Sequence, residues 1–126
     1  MKTFAVLFAF MSVILRLPGH AADPAADYAR LTKELQVREL NTLMFAKYND
    51  ANLAKVEAFL KQHPKAPQRE QVLYLRAYMT WSLHRYAKAP ALYAALIKEF
   101  PKSKFSRIAR IREAAAYLFS GQAAKA

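Results

Sequence analysis

The chain carries two glycines, Gly19 and Gly121, in 126 residues, and this scarcity constrains its fold more than any other feature. Two-residue β-hairpin turns need glycine-type residues to reach positive φ, so an antiparallel sheet has almost nothing to turn on. Beyond residue 21 the sequence is crowded with Ala and Leu, both strong helix formers. Prolines and capping residues then divide it into five helical runs, an all-α class. Asp23-Pro24 reads as an N-cap with Pro in the first helical position, opening a long helix to about Lys47. Asn49-Asp50 breaks that helix and caps a second, about Ala51 to Gln62, with Leu53, Val56, Phe59 and Leu60 on one face. His63-Pro64 ends it, and Pro67 opens a third running to about Leu83. A turn at His84-Arg85 leads to a fourth, where Tyr86, Ala89, Tyr93, Leu96, Ile97 and Phe100 follow the spacing of a buried stripe and Pro90 fits within the first turn. Phe100-Pro101 stops it, Ser103 caps the fifth, and Gly121 terminates that one.

Residues 1–21 stand apart. Lys2 followed by the 13-residue apolar run Thr3–Leu15 is a charged start and a short apolar core, and Gly19 and Ala21 supply small residues for cleavage after Ala21. This is the layout of a secretory signal, with Arg16 its awkward residue. The apolar run is short of the roughly 20 residues that a spanning helix needs. The expected mature unit is one domain, residues 22–126, exported to the periplasm. Only two of the chain's 20 basic residues, Lys2 and Arg16, lie in the leader, while all 9 acids lie in the remainder. An exported, strongly basic chain makes nucleic acid a poor partner and anionic envelope components, such as acidic proteins, cell-wall polymers or lipid headgroups, better ones. With no Cys there is neither a disulfide nor a lipidated Cys, so stability rests on apolar burial.

The sequence also repeats itself. Leu60-Lys61-Gln62-His63-Pro64-Lys65 matches Ile97-Lys98-Glu99-Phe100-Pro101-Lys102 at a shift of 37, Leu75-Arg76 matches Ile111-Arg112 at 36, and Ala87-Lys88-Ala89 recurs as Ala124-Lys125-Ala126. A period in the middle thirties, built of two helices and a Pro-marked turn, is the signature of helical hairpin repeats. Across residues 50–126, Arg85-Tyr86-Ala87-Lys88-Ala89, Tyr93, Leu96-Ile97, Phe100-Pro101-Lys102-Ser103 and Ala114-Ala115-Ala116-Tyr117-Leu118-Phe119-Ser120-Gly121 resemble tetratricopeptide repeats. The variety most similar is that of periplasmic proteins such as the Tol-Pal coordinator and the outer-membrane assembly lipoproteins. Ala89, Tyr93 and Pro101 occupy the motif's small, aromatic and Pro positions, and Ala77 and Ala114 its helix-contact positions. His84 stands where Gly is usual, and the last repeat stops after its first helix. The resemblance implies two and a half antiparallel hairpins of a right-handed solenoid, acting as a non-catalytic adaptor for an envelope protein or peptide.

In the third helix Val72, Leu75, Met79 and Leu83 form one apolar stripe and Tyr74, Tyr78 and Trp81 another, the pattern of a helix sandwiched between neighbours. On the fifth, Lys104, Arg107 and Arg110 are expected outward, as a polar cap, with Phe105, Ile108, Ala115 and Phe119 inward. Three groups are candidate binding residues. Tyr74, Tyr78 and Trp81, with Arg85 one turn on, suit a groove for an extended segment, the competing expectation being core packing. Arg76 and Arg112 sit in or beside apolar stripes, so each either meets a carboxylate (Glu39, Glu70 or Glu113) or awaits an anionic group on a partner. Lys102, Lys104, Arg107 and Arg110 form a basic stripe fit for an anionic cell-wall or lipid surface, or simply a solvated face. No catalytic or cofactor constellation is legible. His63 and His84 belong to no ligand pair at helical spacing, and no Gly-rich phosphate loop is available, so a metal, a cofactor and enzymatic activity are not expected.

Overall fold

The computed structural model of the chain describes residues 23–37 and 48–122. Among these are five helices, α1 (Pro24–Glu34), α2 (Asp50–Gln62), α3 (Arg69–Ser82), α4 (Ala89–Glu99) and α5 (Ser106–Phe119), with no strand. Each packs on its successor in chain order. The leader residues, the segment around Leu40–Phe45 and the Ala124–Ala126 match lie outside the described residues.

The starts of α1 and α2 follow from their caps. The Asp23 carboxylate accepts from the Ala25 N–H at 3.0 Å with Pro24 beginning the helix, and the Asn49 side chain accepts from the Asn52 N–H at 2.8 Å. The expected first helix to Lys47 is corrected: α1 stops at Glu34, 13 residues earlier in the chain. Gln36 takes φ 57°, so its N–H bonds the Lys33 carbonyl and the Val37 N–H the Thr32 carbonyl. That left-handed closure also ends α3 at His84 (φ 60°) and α5 at Gly121 (φ 77°), with matching bonds from Arg85 to Thr80 and Gln122 to Tyr117. Glycine scarcity therefore did not remove left-handed closures; Gln36 and His84 adopt them at a cost of about 1 kcal/mol each.

α2 and α4 end differently. His63 and Phe100 have non-helical backbones (φ −127°, ψ 63° and φ −128°, ψ 70°) because the following Pro64 and Pro101 disfavour the helical region. The turns after them match bond for bond: Ala66 N–H to His63 C=O at 3.2 Å and Ser103 N–H to Phe100 C=O at 3.0 Å. α3 and α5 both have 14 residues and begin 37 apart. Pro67 and Ser103 thus lie in the turns ahead of their helices, and Pro90 falls in the first turn of α4, which opens at Ala89 and not at Tyr86. This register corrects the pairing of Arg76 with Arg112. At a uniform shift of 37, Arg112 occupies the position that Leu75 fills in α3, and Arg76 corresponds to Glu113.

The core runs through α2 to α5. Val56, Val72, Leu75, Met79, Tyr93 and Leu96 are fully buried, and α3 is buried on two sides, since Tyr74 and Leu73 are covered as well. α1 joins through fewer contacts. Tyr28 meets Phe59 edge-on at 6.2 Å, and the buried His63 ring lies 2.8 Å from the Asp27 carboxylate. Arg69 and Glu99 form a two-pronged pair between the starts of α3 and the end of α4.

Candidate functional site

The α3 aromatics and Arg112 come together as one cluster. Tyr74 stacks on Phe105 at 4.7 Å and 11° and meets Tyr93 edge-on, so its ring is part of the core, at 3% exposure. Tyr78 and Trp81 are half-buried, 6.1 Å apart. The Arg112 guanidinium lies 4.4 Å from the Tyr78 ring centroid and 5.4 Å from that of Trp81, both within cation–π range. Tyr48, just before α2, packs on Tyr78 at 5.6 Å, and the two hydroxyls hydrogen-bond each other. The ring series continues from Trp81 to Tyr86 and Phe119, which stack at 5.2 Å.

The position of Arg112 explains its surroundings. A guanidinium placed where the repeat puts a buried leucine is only partly exposed, and it lies along aromatic faces. Among the described residues it has no ion pair, so neither Glu70 nor Glu113 neutralises it, and its Nε is buried without a hydrogen-bond partner. Glu70 accepts from the Ser103 hydroxyl at 2.5 Å, Glu113 forms no ion pair among the described residues, and Glu39 lies outside them. The nearby polar groups are an indole N–H and phenol hydroxyls, of which that of Tyr74 accepts from Arg112. Trp81 Nε1 and the Tyr93 hydroxyl are buried and unpartnered. Burial is the main reason the Tyr48, Tyr74 and Tyr93 phenols are held above their ordinary pKa; Arg112 pulls each the other way, by charge and at Tyr74 also by hydrogen bonding. The phenols thus stay protonated, and the cluster offers O–H, N–H and guanidinium groups but no carboxylate.

The remaining expected residues separate from this cluster. Arg85 does not serve as a free anchor one turn beyond Trp81, because its guanidinium pairs with Asp50 at the start of α2. Arg76 pairs with Glu57 at 3.6 Å, a carboxylate not among those proposed for it. Lys102, Lys104, Arg107 and Arg110 are exposed and make no ion pair among the described residues, Lys104 sitting 5.1 Å from the Phe105 ring centroid. Lys104 and Arg107 join Tyr74, Phe105, Ile111 and Arg112 around a concavity of about 410 Å³, so the basic stripe and the aromatic cluster share an edge. The expected polar cap is corrected: the same helix also exposes Ile111, Leu118 and Phe119, by 56%, 59% and 64%, so Phe119 does not line the interior.

Sequence reasoning did not single out Tyr48 or Tyr93 as members of the site. Tyr93 carried only a core signal, and nothing in the sequence links Tyr48 to Tyr78, 30 residues away. No group of three or more potential metal ligands occurs among the described residues, and none of their helices is long and apolar enough to cross a membrane. Comparison with protein-family models, with curated proteins and with solved structures found no match.

Proposed function

We propose that this chain is a non-catalytic protein-interaction module of the bacterial envelope, a short tetratricopeptide-like array that holds an acidic segment of a partner against the α3–α5 surface. The observation that carries this reading is Arg112, stacked on Tyr78 and Trp81 with no carboxylate to neutralise it among the described residues. A partly buried charge left in this way is costly, and an anionic group on a partner would recover the loss. Aromatic rings with an Arg at the centre of a surface are also the residue types that dominate binding energy in protein interfaces. The envelope location is supported by the signal-like residues Lys2 to Ala21 alone.

The test is affinity capture from envelope extract by the chain and by an Arg112→Gln variant, both shown by circular dichroism to be folded. A defined protein retained by the first and reduced on the order of tenfold by the second supports the reading. Equal retention by both removes Arg112 from any role in recognition.

A further inference from the structure

The 37-residue register exposes a second surface. The α3 stripe Tyr74, Tyr78, Trp81 corresponds, residue for residue, to Ile111, Ala115, Leu118 in α5. In α3 that stripe is covered: Phe105, Arg112 and Phe119, from α5 and the residue preceding it, lie against Tyr74, Tyr78 and Trp81. In α5 the same stripe has no described element over it, and Ile111 and Leu118 are more than half exposed where Tyr74 is 3% exposed. The open stripe therefore continues an interface that the molecule already makes once, between one helix and the next.

We propose that Ile111, Ala115 and Leu118 dock an amphipathic helix of another protein, one whose apolar stripe is flanked by acidic residues. The geometry of the covered stripe indicates a helix as the occupant, since long side chains of α5 are what cover it in α3. Charge selects the kind of helix. Arg107 continues the same line of α5 toward its start, Lys104 lies in the turn just before the helix, Arg110 lies beside the line, and none has an ion pair among the described residues. A second copy of the chain fits poorly, because α5 against α5 would bring these cations together in a molecule of formal net charge +11. The concavity beside Ile111, rimmed by Lys104 and Arg107, has room for one anchoring side chain of the incoming helix. This inference rests on the reading of the chain as a protein-binding module, but not on Arg112 being a contact.

The probe is a pair of synthetic helical peptides with the same leucine stripe, one flanked by Glu and the other by Lys, titrated into the full chain and followed by anisotropy of a peptide label. The Glu-flanked peptide is expected to bind and the Lys-flanked one not. Ile111→Ser combined with Leu118→Ser, both at exposed positions, is expected to weaken binding on the order of tenfold. Lys104→Glu with Arg107→Glu is expected to reverse the preference. Binding of neither peptide or of both equally, or an Ile111/Leu118 variant that binds like the parent, overturns the proposal. So does self-association lost in that variant, which would make a second copy the occupant, or sedimentation with phosphatidylglycerol vesicles when no peptide binds, which would make it a lipid surface. Failure here with Arg112-dependent capture intact leaves the interaction module standing and removes only the helix-docking face.

Discussion

At the scale of single residues, three left-handed positions close helices among the described residues, and of these only Gly121 is glycine. Gln36→Gly should therefore raise stability by about 0.5–1 kcal/mol, since the native φ of 57° suits glycine without a Cβ penalty. Thermal unfolding monitored by circular dichroism checks this, and a lower midpoint would contradict it. These closures were only partly legible in the sequence. Gly121 announced its role, whereas Gln36 and His84 carry no residue-type signal, and the α1 boundary was lost with Gln36. The tyrosines give a second expectation. Burial raises the pKa of Tyr28, Tyr48, Tyr74 and Tyr93 above the ordinary value of 10.0. Below that value phenols are neutral in both folded and unfolded chains, and stability is fully present. Above it the unfolded chain releases protons that the native one retains, so stability falls as pH rises. An alkaline titration of phenolate absorbance should show these four ionising late, together with loss of helical signal. Seven tyrosines titrating as one class near 10 with the fold intact would contradict it.

At the scale of elements, the legible features were those with a local cause. Asp23 and Asn49 cap, Pro64 and Pro101 stop, and the stripes Val72–Leu75–Met79 and Ala89–Tyr93–Leu96 are buried because periodicity dictates it. What could not be read depended on partners far along the chain. The carboxylate that Arg76 meets is not among the expected ones because ion pairing is set by helix placement, and Glu57 faces Arg76 only once α2 lies beside α3. The α5 amphipathicity was misread for a related reason, since apolar character does not show whether a neighbour covers it. Two phenylalanines make the contrast testable. Phe105, 1% exposed and stacked on Tyr74, should cost about 3–5 kcal/mol when changed to Ala. Phe119, at 64% exposure, should cost under about 1 kcal/mol. Urea unfolding of both variants checks the ranking, and equal losses would place Phe119 in the core.

For the whole molecule, sequential packing makes stability uneven. α3 buries seven residues between its neighbours, whereas α1 buries Leu31 and is held mainly by Tyr28, Leu35 and the Asp27–His63 contact. Where helices pack in chain order each depends on the adjacent ones, so local opening should follow the buried surface. Native-state hydrogen exchange should find the slowest amides in α3 and markedly faster exchange in α1. Uniform protection across the helices would indicate a single cooperative core. The repeat register itself is legible, since the shift of 37 from His63-Pro64 to Phe100-Pro101 relates the ends of α2 and α4 and both the starts and the ends of α3 and α5. The displaced match at 36 misled, because two similar dipeptides outweighed the register in a short repeat.

Arg112 is where the account is most exposed, because a guanidinium in a leucine position has no function in stabilising the fold that a leucine would not serve better. Trp81, the chain's single tryptophan, lies 5.4 Å from it and reports on it directly. The most direct measurement is a Trp81 fluorescence titration with short peptides bearing Glu or, at the same positions, Gln, on the parent chain and on Arg112→Gln. The account predicts that the Glu peptides alone change the fluorescence of the parent, that added salt weakens the change, and that the variant shows none. An equal response to Glu and Gln peptides, or an unaltered response in Arg112→Gln, would contradict it.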